Sequence, residues 1–232
     1  MIKFFTACAL IASAGVVHGA DLFAEDFELG GSGMSGAGYR TGTGGYTAYD
    51  FGSQMYRNTG WEGDVTVLTF SAPVSVSSAT LHFDLAVIDS WDGSSSIPGG
   101  CCNSDIFTVK LDGQSVFTAD FNNVWGFVPG YPGQGDTQTF PRDARMLVGP
   151  EADLAGEWNG ASGYDSAYRL TIDLGPLAPG EHTVQFFAGG PGWQAGSDES
   201  FAIDNLRVSA VPEPAAWALM AAGLGLFALR RR

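Results

Sequence analysis

The sequence predicts an all-β domain, an antiparallel β-sandwich, with an N-terminal signal helix and a short C-terminal transmembrane helix attached at its two ends. Three observations predict it. The interior is rich in Gly, Ser, Thr and aromatic residues, and its apolar residues recur at every second position in short runs, without helical periodicity. A turn dipeptide, Asp112-Gly113, separates two such runs. Both ends depart from this pattern as unbroken apolar runs with basic residues on one flank. The segments are therefore 1–20, a signal peptide; 21–210, the sandwich; and 211–232, a sorting and anchor segment.

The first segment carries Lys3, an apolar run from Phe4 to Val17, and the small residues of His18-Gly19-Ala20 before the acidic Asp21. That is the layout of a secretory signal peptide, with cleavage expected after Ala20. Cys8 comes too early in the run for a lipid anchor.

Within the domain, strands are predicted at Leu22–Phe27 and Val65–Phe70. In Ala79 to Val87, Leu81, Phe83, Leu85 and Val87 alternate with His82 and Asp84, the pattern of a half-buried strand. Asp105–Leu111 and Gln114–Asp120 form a hairpin about Asp112-Gly113, because that dipeptide tolerates the positive φ angles of a tight turn. Ser166–Leu174, His182–Phe187 and Phe201–Val208 complete the set, with Pro179-Gly180 as a turn signal. About eight strands of this length make a sandwich. Gly30–Gly45 reads as a flexible Gly-rich loop, and Asn122–Gly163 as a long irregular stretch of the kind that carries function.

The chain has 25 acids against 11 bases, a formal net charge of −14. Four of the bases, Lys3 and Arg230–Arg232, lie in the end segments, which leaves Lys110 as the one lysine between them. No basic cluster is present to meet phosphates, so nucleic acid is excluded as a partner. The acidity suits solubility, cations or a hydrated polysaccharide matrix.

Two cysteines lie beyond the signal peptide, the adjacent Cys101 and Cys102. They cannot staple distant segments. A vicinal disulfide, a bond between two molecules and free thiols all remain open.

At the C-terminus, Val211-Pro212-Glu213-Pro214 is followed by fifteen uncharged residues, Ala215–Leu229, and then by Arg230, Arg231 and Arg232. A helix of that length spans about 22 Å, short of the roughly 30 Å hydrocarbon core, which suits a thin or transient anchor. The arginines would stay cytoplasmic and leave the domain outside. Pro212, Glu213 and Pro214, the short apolar helix and the terminal arginines resemble a PEP-CTERM sorting signal. The resemblance implies processing by an exosortase-type enzyme in Gram-negative bacteria that make exopolysaccharide, and hence a cell-envelope, surface or secreted destination. Related tails are sometimes labelled ice-binding C-terminal domains, a label that does not itself demonstrate ice binding.

The domain resembles jelly-roll carbohydrate-binding modules and lectins in Glu25-Asp26-Phe27-Glu28, Trp91-Asp92-Gly93 and the run from Phe201 to Val208. The resemblance implies that the first and last strands pair and place acidic oxygens about a structural Ca2+, with Glu25 or Asp26, Asp204 and Asn205 as ligands among the six to eight oxygens calcium takes. Equally, Asp204-Asn205 can cap a turn while Glu25 faces solvent.

A second acidic group, Asp89, Asp92 and Asp105, brackets a Gly/Ser-rich loop. It lacks the ligand run and terminal glutamate of an EF-hand, so calcium would need another geometry; otherwise these residues form turns. A third candidate is a sugar-binding face drawn from Trp61, Trp91, Trp125, Tyr131, Trp158 and Trp193, since aromatic rings stack on the apolar face of a pyranose. Trp91, Trp125, Tyr131 and Trp158 are the carbohydrate-binding candidates, and the three tryptophans among them are expected to be exposed because they lie in loops without apolar alternation. Core packing is the competing reading for each tryptophan.

Gly31–Gly36 fits G-x-G-x-x-G, but no helix follows, and His82 and His182 fall in predicted strands as structural histidines. Three functional readings remain open. The first is a non-enzymatic module associated with exopolysaccharide, held together by calcium. The second is a polysaccharide-active enzyme using a carboxylate pair, and the third is a passive matrix protein.

Overall fold

In a computed structural model the structure describes residues 20–92, 104–121, 123, 145–154 and 165–212. They form a jelly-roll-like sandwich of two antiparallel sheets. The strands are β1 (Ala20–Glu25), β2 (Met34–Gly36), β3 (Tyr39–Gly42), β4 (Gln54–Asn58), β5 (Thr66–Ala72), β6 (Val76–Asp89), β7 (Ile106–Leu111), β8 (Gln114–Asp120), β9 (Arg145–Ala152), β10 (Asp165–Leu177), β11 (Gly180–Gly189) and β12 (Glu199–Pro212). The larger sheet has the order β3-β4-β12-β6-β10-β9, with β1 also on β12; the smaller has β2-β5-β11-β7-β8.

The alternation in β6 explains how the layers meet. Leu81, Phe83, Leu85 and Val87 enter the main core, where they pack with Leu68, Phe107, Val109, Val184 and Phe186 of the smaller sheet. The other face of β6 is also covered at its far end. Ala86 and Ile88 pack with Tyr46, Phe51 and Met55, carried by the 3-10 turn Gly44–Tyr49 and β4. This strand is therefore buried on both faces, where alternation predicted one.

The predicted hairpin is present: Asp112 and Gly113 both take positive φ, 47° and 80°, as a two-residue turn between twisted strands requires. The predicted flexible loop Gly30–Gly45 instead contains β2 and β3. They are held by tertiary fit, since Gly36 sits so close to Val65 O that any Cβ would collide with it. Likewise β4 and β9 were not predicted, and β9 falls inside the stretch read as irregular.

Strands β1 and β4 share one edge of β12. Phe201–Ile203 pair with β4, and Leu206–Ala210 pair with β1. The exchange occurs at a bulge after Asp204, where Asn205 adopts φ 50°. Ala20 lies opposite Ala210, so the start of β1 and the end of β12 leave from the same pole. At about 3.3 Å per residue the 14 residues of β12 carry the chain some 40 Å, from Glu199 at the other pole to Pro212.

Among the described residues, no helix is long and apolar enough to cross a membrane. The predicted signal helix and the anchor residues beyond Pro212 lie outside them.

Candidate functional site

The pole opposite Pro212 gathers the end of β6, the starts of β7 and β12, the turn between β4 and β5, and the loop from Gly190 to Asp198. Its centre is acidic. Asp92, Asp105 and Glu199 each place a carboxylate oxygen within 4.8 Å of the others, and all three are buried. Asp92 and Asp105 are locked by a reciprocal pair: Asp105 N donates to Asp92 O at 2.6 Å, and Asp92 N donates to Asp105 Oδ2 at 2.5 Å. Gln194 N donates to Glu199 Oε2 at 2.6 Å.

The remaining oxygens, Asp105 Oδ1 and Glu199 Oε1, are buried without a hydrogen-bond partner. Burial pushes the Asp105 carboxyl up to about 7, with Asp92 and Asp198 adding to the rise. Glu199 is pushed higher, to about 9, by burial and then by the charge of Asp105. No basic side chain forms an ion pair with Asp105 or Glu199 among the described residues.

Of the predicted group, Asp92 and Asp105 are brought together, but Asp89 is turned away. Asp89 takes φ 69° and directs its carboxylate toward Arg57, 3.8 Å away. Glu199 takes the third place. No alternation pattern could have nominated it, because its two partners arrive from distant loops through the fold.

The first and last strands pair, and Glu25, Asp26 and Asp204 each accept hydrogen bonds from the protein. Glu25 accepts from Phe27 N and from Ser32 N and Oγ, each within 2.9 Å, and Asp26 accepts from Glu28 N. Asp204 is fully buried and accepts from Gly52 N and Asn205 N. Burial, with Asp84 and Glu28 adding charge, raises its carboxyl to about 6. Glu25 and Asp26 border a shallow depression with Asn205, of about 320 Å³, on the solvent side. Asn205 itself donates to Asp84 and to the Asp50 carbonyl.

The expectation that Trp91 is exposed is corrected. Trp91 is wholly buried, donates from Nε1 to Ser200 O at 2.9 Å, and meets Trp193 edge to face at 5.0 Å. It belongs to the core because the segment after β6 folds back over the sandwich end. Trp61 is the exposed tryptophan among the described residues, at 67%. Trp125, Tyr131, Trp158, Cys101 and Cys102 lie outside the described residues, as do Glu213, Pro214 and Arg230–Arg232.

Trp61 stands on a tightly bonded turn. Its N–H donates to Asp64 Oδ2 at 2.8 Å, and Asp64 N donates to Trp61 O at 2.9 Å. Gly60 N donates to Asn58 Oδ1, Asn58 Nδ2 donates across the sandwich to Thr66 Oγ1, and Trp193 Nε1 donates to Gly60 O at 3.0 Å. Gly196 N donates to Thr59 O. The Gly190–Asp198 loop thus supports both the Trp61 turn and the acidic trio.

The two histidines are structural. His82 lies between Thr171 and Ser209 hydroxyls, and His182 bridges Asp112 Oδ2 at 2.7 Å and Ala178 O.

Residues 210–232 match the PEP-CTERM protein-sorting motif. That motif marks an exported protein sorted to the cell envelope. No curated protein matches the chain. Among solved structures it is similar to a family 35 carbohydrate-binding module from an environmental isolate, at 15% identity over 81% of this chain and 97% of that one, with a TM-score of 0.37. It is also similar to the CBM22-1 xylan-binding domain of Paenibacillus barcinonensis Xyn10C, at 12% over 86% and 99%, TM-score 0.39. A third is the family 35 module of Cellvibrio japonicus Abf62, at 15% over 79% and 89%, TM-score 0.36. At these scores the likenesses carry no argument about ligands.

Proposed function

We propose that this chain is a non-enzymatic carbohydrate-binding module of the bacterial surface, tethered at one pole and presenting Trp61 at the other. One observation carries the reading: a tryptophan 67% exposed on a turn braced by hydrogen bonds, at the pole away from the sorting tail. An exposed indole carried on backbone fixed in this way can stack on a pyranose with little ordering of the chain. The ligand in this proposal is an exopolysaccharide or envelope glycan, and the tail is a substrate for an exosortase-type enzyme. Calcium enters as a stabilising ion.

Asp105 and Glu199 are both fully buried, so this acid pair is not placed to act on a glycosidic bond. A glycan array probed with the mature protein recovered from culture tests the reading. Binding to at least one acidic or neutral polysaccharide is expected; a silent array would favour a passive matrix role.

A further inference from the structure

We propose that Asp92, Asp105 and Glu199 form a calcium site that locks the pole of the sandwich. Two independent observations converge on it. The first is geometric. Two ligands of one Ca2+ at about 2.3–2.6 Å from the ion lie no more than about 5 Å apart, and the three carboxylates offer oxygens within 4.8 Å of one another. The second is the pair of orphaned oxygens: with both groups ionised, Asp105 Oδ1 and Glu199 Oε1 belong to fully buried residues and accept no hydrogen bond. Leaving a buried acceptor unsatisfied is costly, more so for a charged group, and a cation between the two oxygens would satisfy both.

The donor set selects the ion. All three ligands are carboxylates, with no imidazole or thiolate, which suits a hard cation rather than zinc or copper. Each carboxylate supplies one oxygen, and water and backbone carbonyls would complete the six to eight that calcium takes. Three elements are joined by the ion: the segment after β6, the entry to β7 and the start of β12.

This inference rests on the proposed function only in giving the calcium named there a site. Its test contains no glycan, so either can fail alone. The full-length chain in detergent, stripped with chelator, is titrated with Ca2+ by calorimetry. Terbium luminescence excited through tryptophan is followed in parallel, because Trp91 directly precedes Asp92 and Trp193 adjoins its ring.

One saturable site is expected, with terbium emission displaced by excess calcium. Glu199→Gln keeps the volume, removes the charge and is expected to weaken calcium more than tenfold, while melting in chelator no lower than the unmodified protein. Asp105→Asn is the second variant and is expected to weaken calcium to a similar degree. Absence of saturable binding to the unmodified chain, with the same Tm in calcium and chelator, would overturn the site and leave a buried acid pair sharing a proton. Undiminished calcium affinity in either folded variant would overturn it as well.

Discussion

Trp193 donates its indole N–H to the carbonyl of Gly60 at 3.0 Å, and Gly60 is the residue immediately before Trp61. A buried ring of the core thereby fixes the backbone on which an exposed ring stands. Trp193→Phe retains most of the apolar packing and removes this bond. It is expected to cost about 1 kcal/mol of stability, seen as a lower denaturation midpoint in urea. Glycan affinity is expected to fall by more than that stability change would explain, because the Trp61 turn loses its brace.

Trp91 separates the core reading from the sugar-face reading. Its ring is buried against Phe121 and Trp193 and its N–H is bonded to Ser200 O. Trp91→Ala is expected to destabilise the fold by about 3–5 kcal/mol. Chemical denaturation gives the number. A loss below about 1 kcal/mol would place Trp91 at the surface.

Arg169 covers a buried carboxylate on the outer face of the larger sheet. It donates to Asp84 at 2.7 and 2.9 Å and to Asp50 at 3.3 Å, while Asn205 also donates to Asp84. Arg169→Met leaves Asp84 charged and nearly inaccessible. The expected cost is about 3 kcal/mol, at the low end for a broken buried pair because Asn205 still donates. The double variant Arg169→Met, Asp84→Leu is expected to recover much of it.

The hairpin turn gives a pH signature. Burial opposes the charged form of His182, but Ala178 O and Asp112 outweigh it and raise its pKa. Asp112, in turn, is held below its usual value by hydrogen bonds from His182 and Thr183, against the effect of burial. The raised histidine stabilises the fold below its unfolded pKa of about 6.5, and that stability is lost as pH rises through the higher folded value. The lowered aspartate stabilises above about 3.9 and loses this as pH falls. The Tm difference between the unmodified protein and Asp112→Asn is therefore expected to be largest between about pH 4 and 6.5, and to shrink at higher pH. A difference that grows above pH 7 would contradict the pairing.

Much of the architecture was legible because it is local. The Asp112-Gly113 turn and the apolar alternation of β6 are written in adjacent residues, and both appear in the fold. Strands β2, β3 and β4 were not legible, since glycine-rich or polar segments become strands here only by docking on β5, β4 and β12 respectively. Trp91 misled for a related reason: its flanking Ser90 and Asp92 are polar, but both are buried under the pole of the sandwich. Glu199 was invisible as a site residue because its partners Asp92 and Asp105 meet it only after both sheets have formed. The sorting motif was legible in full, being a linear signal.

The most direct test of the account is a titration of the exopolysaccharide from producing cells against the mature protein and its Trp61→Ala variant. Trp61 is solvent-facing, so the variant is expected to melt within about 1 °C of the unmodified protein and to bind at least tenfold more weakly, in line with the roughly 1.4 kcal/mol that one stacked ring contributes. Equal binding by the two proteins, or no binding by either, would contradict a glycan-binding role at this pole.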